Sequence, residues 1–243
     1  MPVELADFDF VLRPDLTAVR DRCVVVAFVT PHGEPADRRI TRFAVEAGAI
    51  DLSLVRAGRC PVLLEHRNAL DALVGEVVEV WPDGGTLLAL VRLGTSPEAE
   101  RILGLIRDAL PIGISVGALL IDSVPDPDGP PDSVRVTRWA LNEISFVTLG
   151  ADRSARVIKT GADAVEMAER HRQRSLEQRK ALAMPMLRAA AWRHWAADTG
   201  DRLAGAEPGA LSDLLYEETV THLDKLATEA AREMPVDPVS LAA

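Results

Sequence analysis

The 243-residue chain is poor in cysteine and in aromatic side chains: it has two cysteines, four tryptophans, one tyrosine and five phenylalanines. Cys23 and Cys60 lie far apart and match no metal-ligand spacing, so they read as two buried or half-buried thiols in a reducing compartment. Long apolar runs are missing, and none approaches the ~20 residues that a membrane-spanning helix needs. The start "MPVELADFDF" lacks the basic and apolar regions of a signal peptide, so a cytoplasmic protein is expected. Basic excess is lacking too. With 27 Lys and Arg against 37 Asp and Glu, the formal net charge of −10 argues against broad binding to nucleic acid or to an anionic membrane. What is present is ordinary for a soluble globular chain: 48% hydrophobic and 26% charged residues, enough for one buried core with an appendage or for two small domains.

The chain changes character near residue 160. Before it, β-rich runs alternate with turn signals: "CVVVAFVT" (23–30), "RRITRFAVE", "CPVLLEH" (60–66), then "LVGEVVEVW" and "TLLALVRLG" around the hairpin turn "PDGG". One helix interrupts them, "SPEAERILGLIRDAL" (96–110), with Ser96 as N-cap, Pro97 at the first helical position and Ile102, Leu103, Ile106, Ala109 and Leu110 on one stripe. A polar loop, "DSVPDPDGPPD", precedes the last strand region at 133–149. This pattern predicts a mainly β, α+β fold, a small closed or nearly closed β-barrel with a packed helix, over residues 1–158. Residues 159–243 read as a helical extension, with a kink or break at Pro185 and an amphipathic helix carrying Leu211, Leu214, Leu215, Leu223, Leu226 and Ala230.

The stretch "PIGISVGALL" places Ser115 between Gly113 and Gly117, on one face of a strand. Glycine inside a strand loses packing and often marks close approach by another backbone or a ligand. The string "GISVG" matches the GxSxG of hydrolases, but apolar residues continue on both sides, which excludes the strand–turn–helix elbow. A serine hydroxyl needs a base. His32 sits in an apparent turn, whereas His66 ends the strand "PVLLEH", where Val62, Leu64 and His66 alternate onto one face. In "WALNEISFV", strict alternation places Glu143 beside Trp139 and Leu141, a costly position for an unpartnered carboxylate, and a bulge or twist that turns it outward is an equal alternative. Each of these residues is more often structural than functional, and no spacing rule brings them together. His66, His171, His194 and His222 lack metal-ligand spacing, and no cofactor motif or metal site is expected.

The ordered segments "CPVLLEHRNALDALVGEVVEV", "ISVGA" and "LNEISFVTLGADRSARV" resemble the caudoviral prohead serine protease family, which is similar in turn to the herpesvirus assemblin proteases. The resemblance covers roughly residues 20–158 and matches His66, Gly75, the Ser115–Val116–Gly117 run, and Leu141, Glu143, Ile144 and Ser145. It implies an assemblin-like barrel in which Ser115 is the nucleophile, His66 the general base and Glu143 the orienting third member. Gly113 and Gly117 would clear a lane for the incoming peptide, and Arg153 would lie beside the oxyanion. Gly117→Val should then impair cleavage far more than folding. Arg67 and Ala118 depart from the family pattern.

The function so implied is a prohead maturation endopeptidase without cofactors, located in the host cytoplasm inside an immature capsid. Its expected partners are the major capsid protein, a scaffold-like segment, itself as substrate, and further copies of itself. The particle would belong to a phage or a gene transfer agent. The competing reading is a non-catalytic capsid-assembly or scaffolding factor on a degenerate protease barrel. A ligand-binding β-barrel is a further rival, for which no convergent polar site is evident.

Overall fold

The computed structural model describes residues 16, 18–30, 39–46, 48–127, 129–178, 181 and 221. The expectations for His32, for the break at Pro185, for His194 and His222 and for the amphipathic helix near the C-terminus lie outside the described residues. The chain divides into two compact units, Met1–Ala168 with Val239–Ala243, and Glu169–Pro238.

In the first unit the strands are β1 (Cys23–Val29), β2 (Ile40–Phe43), β3 (Ile50–Asp51), β4 (Pro61–Leu64), β5 (Leu73–Asp83), β6 (Thr86–Leu93), β7 (Gly113–Pro125), β8 (Val134–Val147) and β9 (Arg156–Thr160). The helices are α1 (Ser53–Arg56) and α2 (Pro97–Arg107), and residues 161–168 are also helical. One mixed sheet runs β2-β8-β4-β5-β6-β1-β9, with β3 and β7 also on β8. β8 organises it. Along one edge it takes β2, β3 and β4 in chain order, all parallel; along the other it takes β7, antiparallel.

Local chemistry accounts for most of these elements. The β5–β6 hairpin turns through Gly84 and Gly85, both at positive φ, as a two-residue turn requires. Ser96 caps α2 by accepting from the Ala99 N–H at 3.2 Å. The helix ends before the expected Pro111: Ala109 adopts φ +53, and its N–H and that of Leu110 bond back to Ile106 and Leu105. Leu110 is thereby turned out of the expected stripe and is exposed. In β1 every residue from Cys23 to Phe28 is buried. Val24, Val26 and Phe28 face a core shared with α2 and β8, while Cys23, Val25 and Ala27 face a second cluster with Leu88, Leu90, Ala164 and Ala168.

The mainly β, α+β class holds, but the barrel is not closed. Closure would need a β7–β9 ladder. Instead β9 pairs with β1 alone, and the turn joining β8 to β9 folds against the start of β7. There the backbone of Leu149 and Gly150 fills the space beside Gly113, where a Cβ would meet the Gly150 nitrogen at 2.5 Å.

Both cysteines are free and buried. Burial pushes the Cys23 thiol up to about 11 and the Cys60 thiol up to about 12, the latter aided by the Glu143 carboxylate. From the ordinary 9.0, the thiolate population falls about 100-fold and about 1000-fold respectively. A thiol reagent at pH 8 should therefore label neither residue in the folded protein, and labelling should track global unfolding. Because the folded values are raised, the associated stability is complete below pH 9 and is lost as pH rises through 11 to 12. Fast labelling of the folded chain at pH 8 would contradict this burial.

Candidate functional site

The strand expected to carry His66 stops short of it. β4 ends at Leu64, and Glu65 and His66 form a left-handed corner with φ of 51° and 56°. The Val62, Leu64, His66 alternation is therefore broken by the turn. Non-glycine residues hold such angles only where the surroundings enforce them, and β8 enforces them here. The Glu65 N–H donates to the Phe146 carbonyl at 3.0 Å, and Glu65 Oε1 accepts from Thr148 N at 2.7 Å and from Thr148 Oγ1 at 2.9 Å. The His66 N–H donates to Ser145 Oγ at 3.1 Å.

The His66 ring is fixed by Glu143, whose Oε1 stands 2.7 Å from Nδ1. An ionised carboxylate can only accept, so Nδ1 carries the proton in this pair. Ser145 Oγ donates to the other carboxylate oxygen, Oε2, at 2.7 Å. Glu143 is 9% exposed and Ser145 is fully buried, while the His66 side chain is 44% exposed. The buried carboxylate is thus satisfied on both oxygens, which removes most of the penalty for placing it beside Leu141 and Ile144. With Nδ1 engaged, a neutral ring carries its lone pair at Nε2.

Of the three residues singled out as catalytic, the structure joins two. His66 meets Glu143, while Ser115 pairs in register with Ser145 across the β7–β8 ladder. The Ser115 hydroxyl makes no hydrogen bond among the described residues. The serine bonded to the carboxylate is Ser145, which has no access to solvent. Its position two residues after Glu143 on β8 was the available signal, since residues two apart share a face.

The glycines beside Ser115 face groups of this same chain. A Cβ at Gly117 would lie 2.5 Å from Glu143 Oε1 and 2.9 Å from its Cγ. At Gly113 the neighbour is the Gly150 backbone, and at Gly150 it is the Ile114 carbonyl oxygen, also at 2.5 Å. Next to these two glycines, the lane expected for an incoming peptide is filled by the Glu143 carboxyl and by the β8–β9 turn. Arg153 lies exposed in that turn, with no hydrogen bond or ion pair among the described residues. The anchoring residue there is its neighbour Asp152, which accepts from Thr30 N at 2.9 Å and from Ser154 N at 2.8 Å.

Two cavities, of about 700 and 340 Å³, lie away from this cluster. The larger is lined by Asp21, Ile106, Arg107, Leu110 and Arg156 among others, the smaller by Thr30, Asp83, Ser154 and Met167 among others. No group of histidine, cysteine and carboxylate side chains suited to a metal is found among the described residues. Among those residues, no helix is long and apolar enough to cross a membrane.

No family model matches the chain. It is 37% identical over 108 residues to a protein named major capsid protein from Halomonas phage phiHAP-1, a match covering 43% of this chain and 18% of the relative. The chain therefore spans less than a fifth of the length of the relative it matches. This finding corrects the expected assignment. The relative is named a major capsid protein and not a protease, so the resemblance to prohead proteases, the serine endopeptidase activity and the maturation function that followed from them are withdrawn.

Proposed function

We propose that the chain is a non-catalytic component of phage capsid assembly, located in or on the particle. The observation that carries this reading is the 37% identity over 108 residues to a protein named as a phage major capsid protein. The geometry agrees with a structural role. The His66–Glu143–Ser145 cluster ties the corner after β4 to the C-terminal end of β8, a polar staple linking a parallel strand pair. The net charge of −10 directs contacts to protein rather than to packaged nucleic acid. Residues 159 and 160 close β9 and 161–168 pack in the first unit, so the expected boundary at 159 moves to about residue 169, and in this reading the segment beyond it engages other capsid or scaffold-like chains.

Two measurements test the proposal together. Intact masses of the expressed chain and of Ser115→Ala should show full-length protein in both, differing only by the substituted oxygen. When the chain is co-expressed with the capsid protein of the same genome, it should co-sediment with particles, and omitting it should reduce or distort them. Self-shortening of the native chain that Ser115→Ala abolishes would overturn the non-catalytic reading. Normal particles formed without the chain, and never containing it, would overturn the assembly role.

A further inference from the structure

Among the described residues β7 pairs on one side only, with β8. Along its distal half Leu119, Leu120 and Ile121 are 58%, 46% and 46% exposed. Ile121 is an extra residue relative to β8, because the register passes from Leu120 opposite Trp139 to Asp122 opposite Arg138. Three consecutive large apolar side chains therefore stand free beside an open row of backbone donors and acceptors. Such an edge invites pairing with another strand, and proteins usually blunt it with lysine, proline, charge or a bulge; here the one bulged residue of the triplet, Ile121, is itself apolar and exposed. β7 contains no lysine, and its charge and proline, Asp122 and Pro125, come only after the apolar triplet.

We propose that this half of β7 is a self-association edge, pairing antiparallel with the same segment of a second copy about a two-fold axis at Leu120. The segment is self-complementary in that register. Leu119 faces the partner's Ile121, Leu120 faces the partner's Leu120, and Asp122 faces the partner's Ala118. The two Asp122 side chains then lie four residues apart along the strands, about 13 Å, beyond the ~10 Å screening length at 0.1 M salt. Moving the axis one residue toward Asp122 would set that carboxylate against the partner's Leu120, and moving it two would set the carboxylates against each other. Within its own sheet Asp122 lies opposite Arg138, and its Oδ1 accepts from Ser123 N at 2.8 Å. Two-fold pairing uses one edge from each copy and closes, so it covers the apolar triplet without starting a fibre.

The inference concerns the isolated chain and does not depend on the capsid reading. Sedimentation velocity on the full chain should show a reversible monomer–dimer equilibrium, and Leu120→Lys, which sets two ammonium groups at the axis, should weaken the dimer at least tenfold. Leu120→Cys should form a disulfide-linked dimer under mild oxidation at least tenfold faster than Leu149→Cys, whose site is 74% exposed but lies elsewhere. The buried native thiols keep the background low. A native chain that stays monomeric up to ~100 µM, or equal cross-linking at the two sites, would overturn the proposal. Should Leu120→Lys fail to fold, the native sedimentation and the cysteine pair decide the matter alone. None of these outcomes bears on whether the chain enters particles.

Discussion

Gly117→Val is expected to destabilise the folded chain by about 3 kcal/mol, combining overpacking with the loss of buried hydrogen bonds. A Cβ there falls 2.5 Å from Glu143 Oε1, closer than real contacts allow, and valine adds two methyl groups. A flexible glutamate could normally swing aside. This one is held through both oxygens, by His66 Nδ1 and by Ser145 Oγ, and is almost wholly buried. Moving it strands a carboxylate, a hydroxyl and an imidazole N–H together. The loss therefore falls on folding, where the resemblance to proteases had placed it on cleavage. Urea unfolding of the purified variant measures it, and an unchanged midpoint would mean that Glu143 yields freely.

Removing the carboxylate should cost nearly as much. Glu143→Ala is expected to lose about 2–3 kcal/mol, since it leaves the Ser145 hydroxyl and the His66 Nδ1–H without their acceptor in a largely buried network. The figure lies below that for a wholly buried pair because the His66 ring is 44% exposed and water can replace its partner. The two substitutions touch the same few cubic ångströms, so they should not add. In a Gly117→Ala, Glu143→Ala double variant the new methyl group occupies space that the carboxyl has vacated, and the combined loss should fall at least about 1 kcal/mol short of the sum. Strict additivity in the double-mutant cycle would show that Gly117 and Glu143 do not compete for that space.

Local features were legible where local physics decides them. The two-glycine turn of the β5–β6 hairpin, the Ser96 cap of α2 and the apolar run of β1 each depend on residues within one element. Alternation with Trp139 and Leu141 left Glu143 either on that buried face or turned outward by a bulge, and the structure buries it. The corner at Glu65 and His66 was not legible, because its left-handed angles are enforced by Phe146, Ser145 and Thr148, about 80 residues away. The same holds for the glycines. A missing Cβ announces that something comes close, but not whether that neighbour is a ligand or the chain itself.

Sequence alone was enough for the strand-rich class, the capped helix before β7 and the acidic balance. Periodicity, caps and charge are properties of short windows of chain, and they survive any change in how distant parts meet. It took the folded arrangement to show that Ser145 rather than Ser115 bonds the buried carboxylate, that Gly117 makes room for Glu143, and that β7 and β9 leave the sheet open. The last two rest on strand register and on close approaches between residues far apart in sequence, whereas the bond from Ser145 to Glu143 lies within β8. A shift of two positions in the β7–β8 pairing would have set Ser115, not Gly117, opposite Glu143.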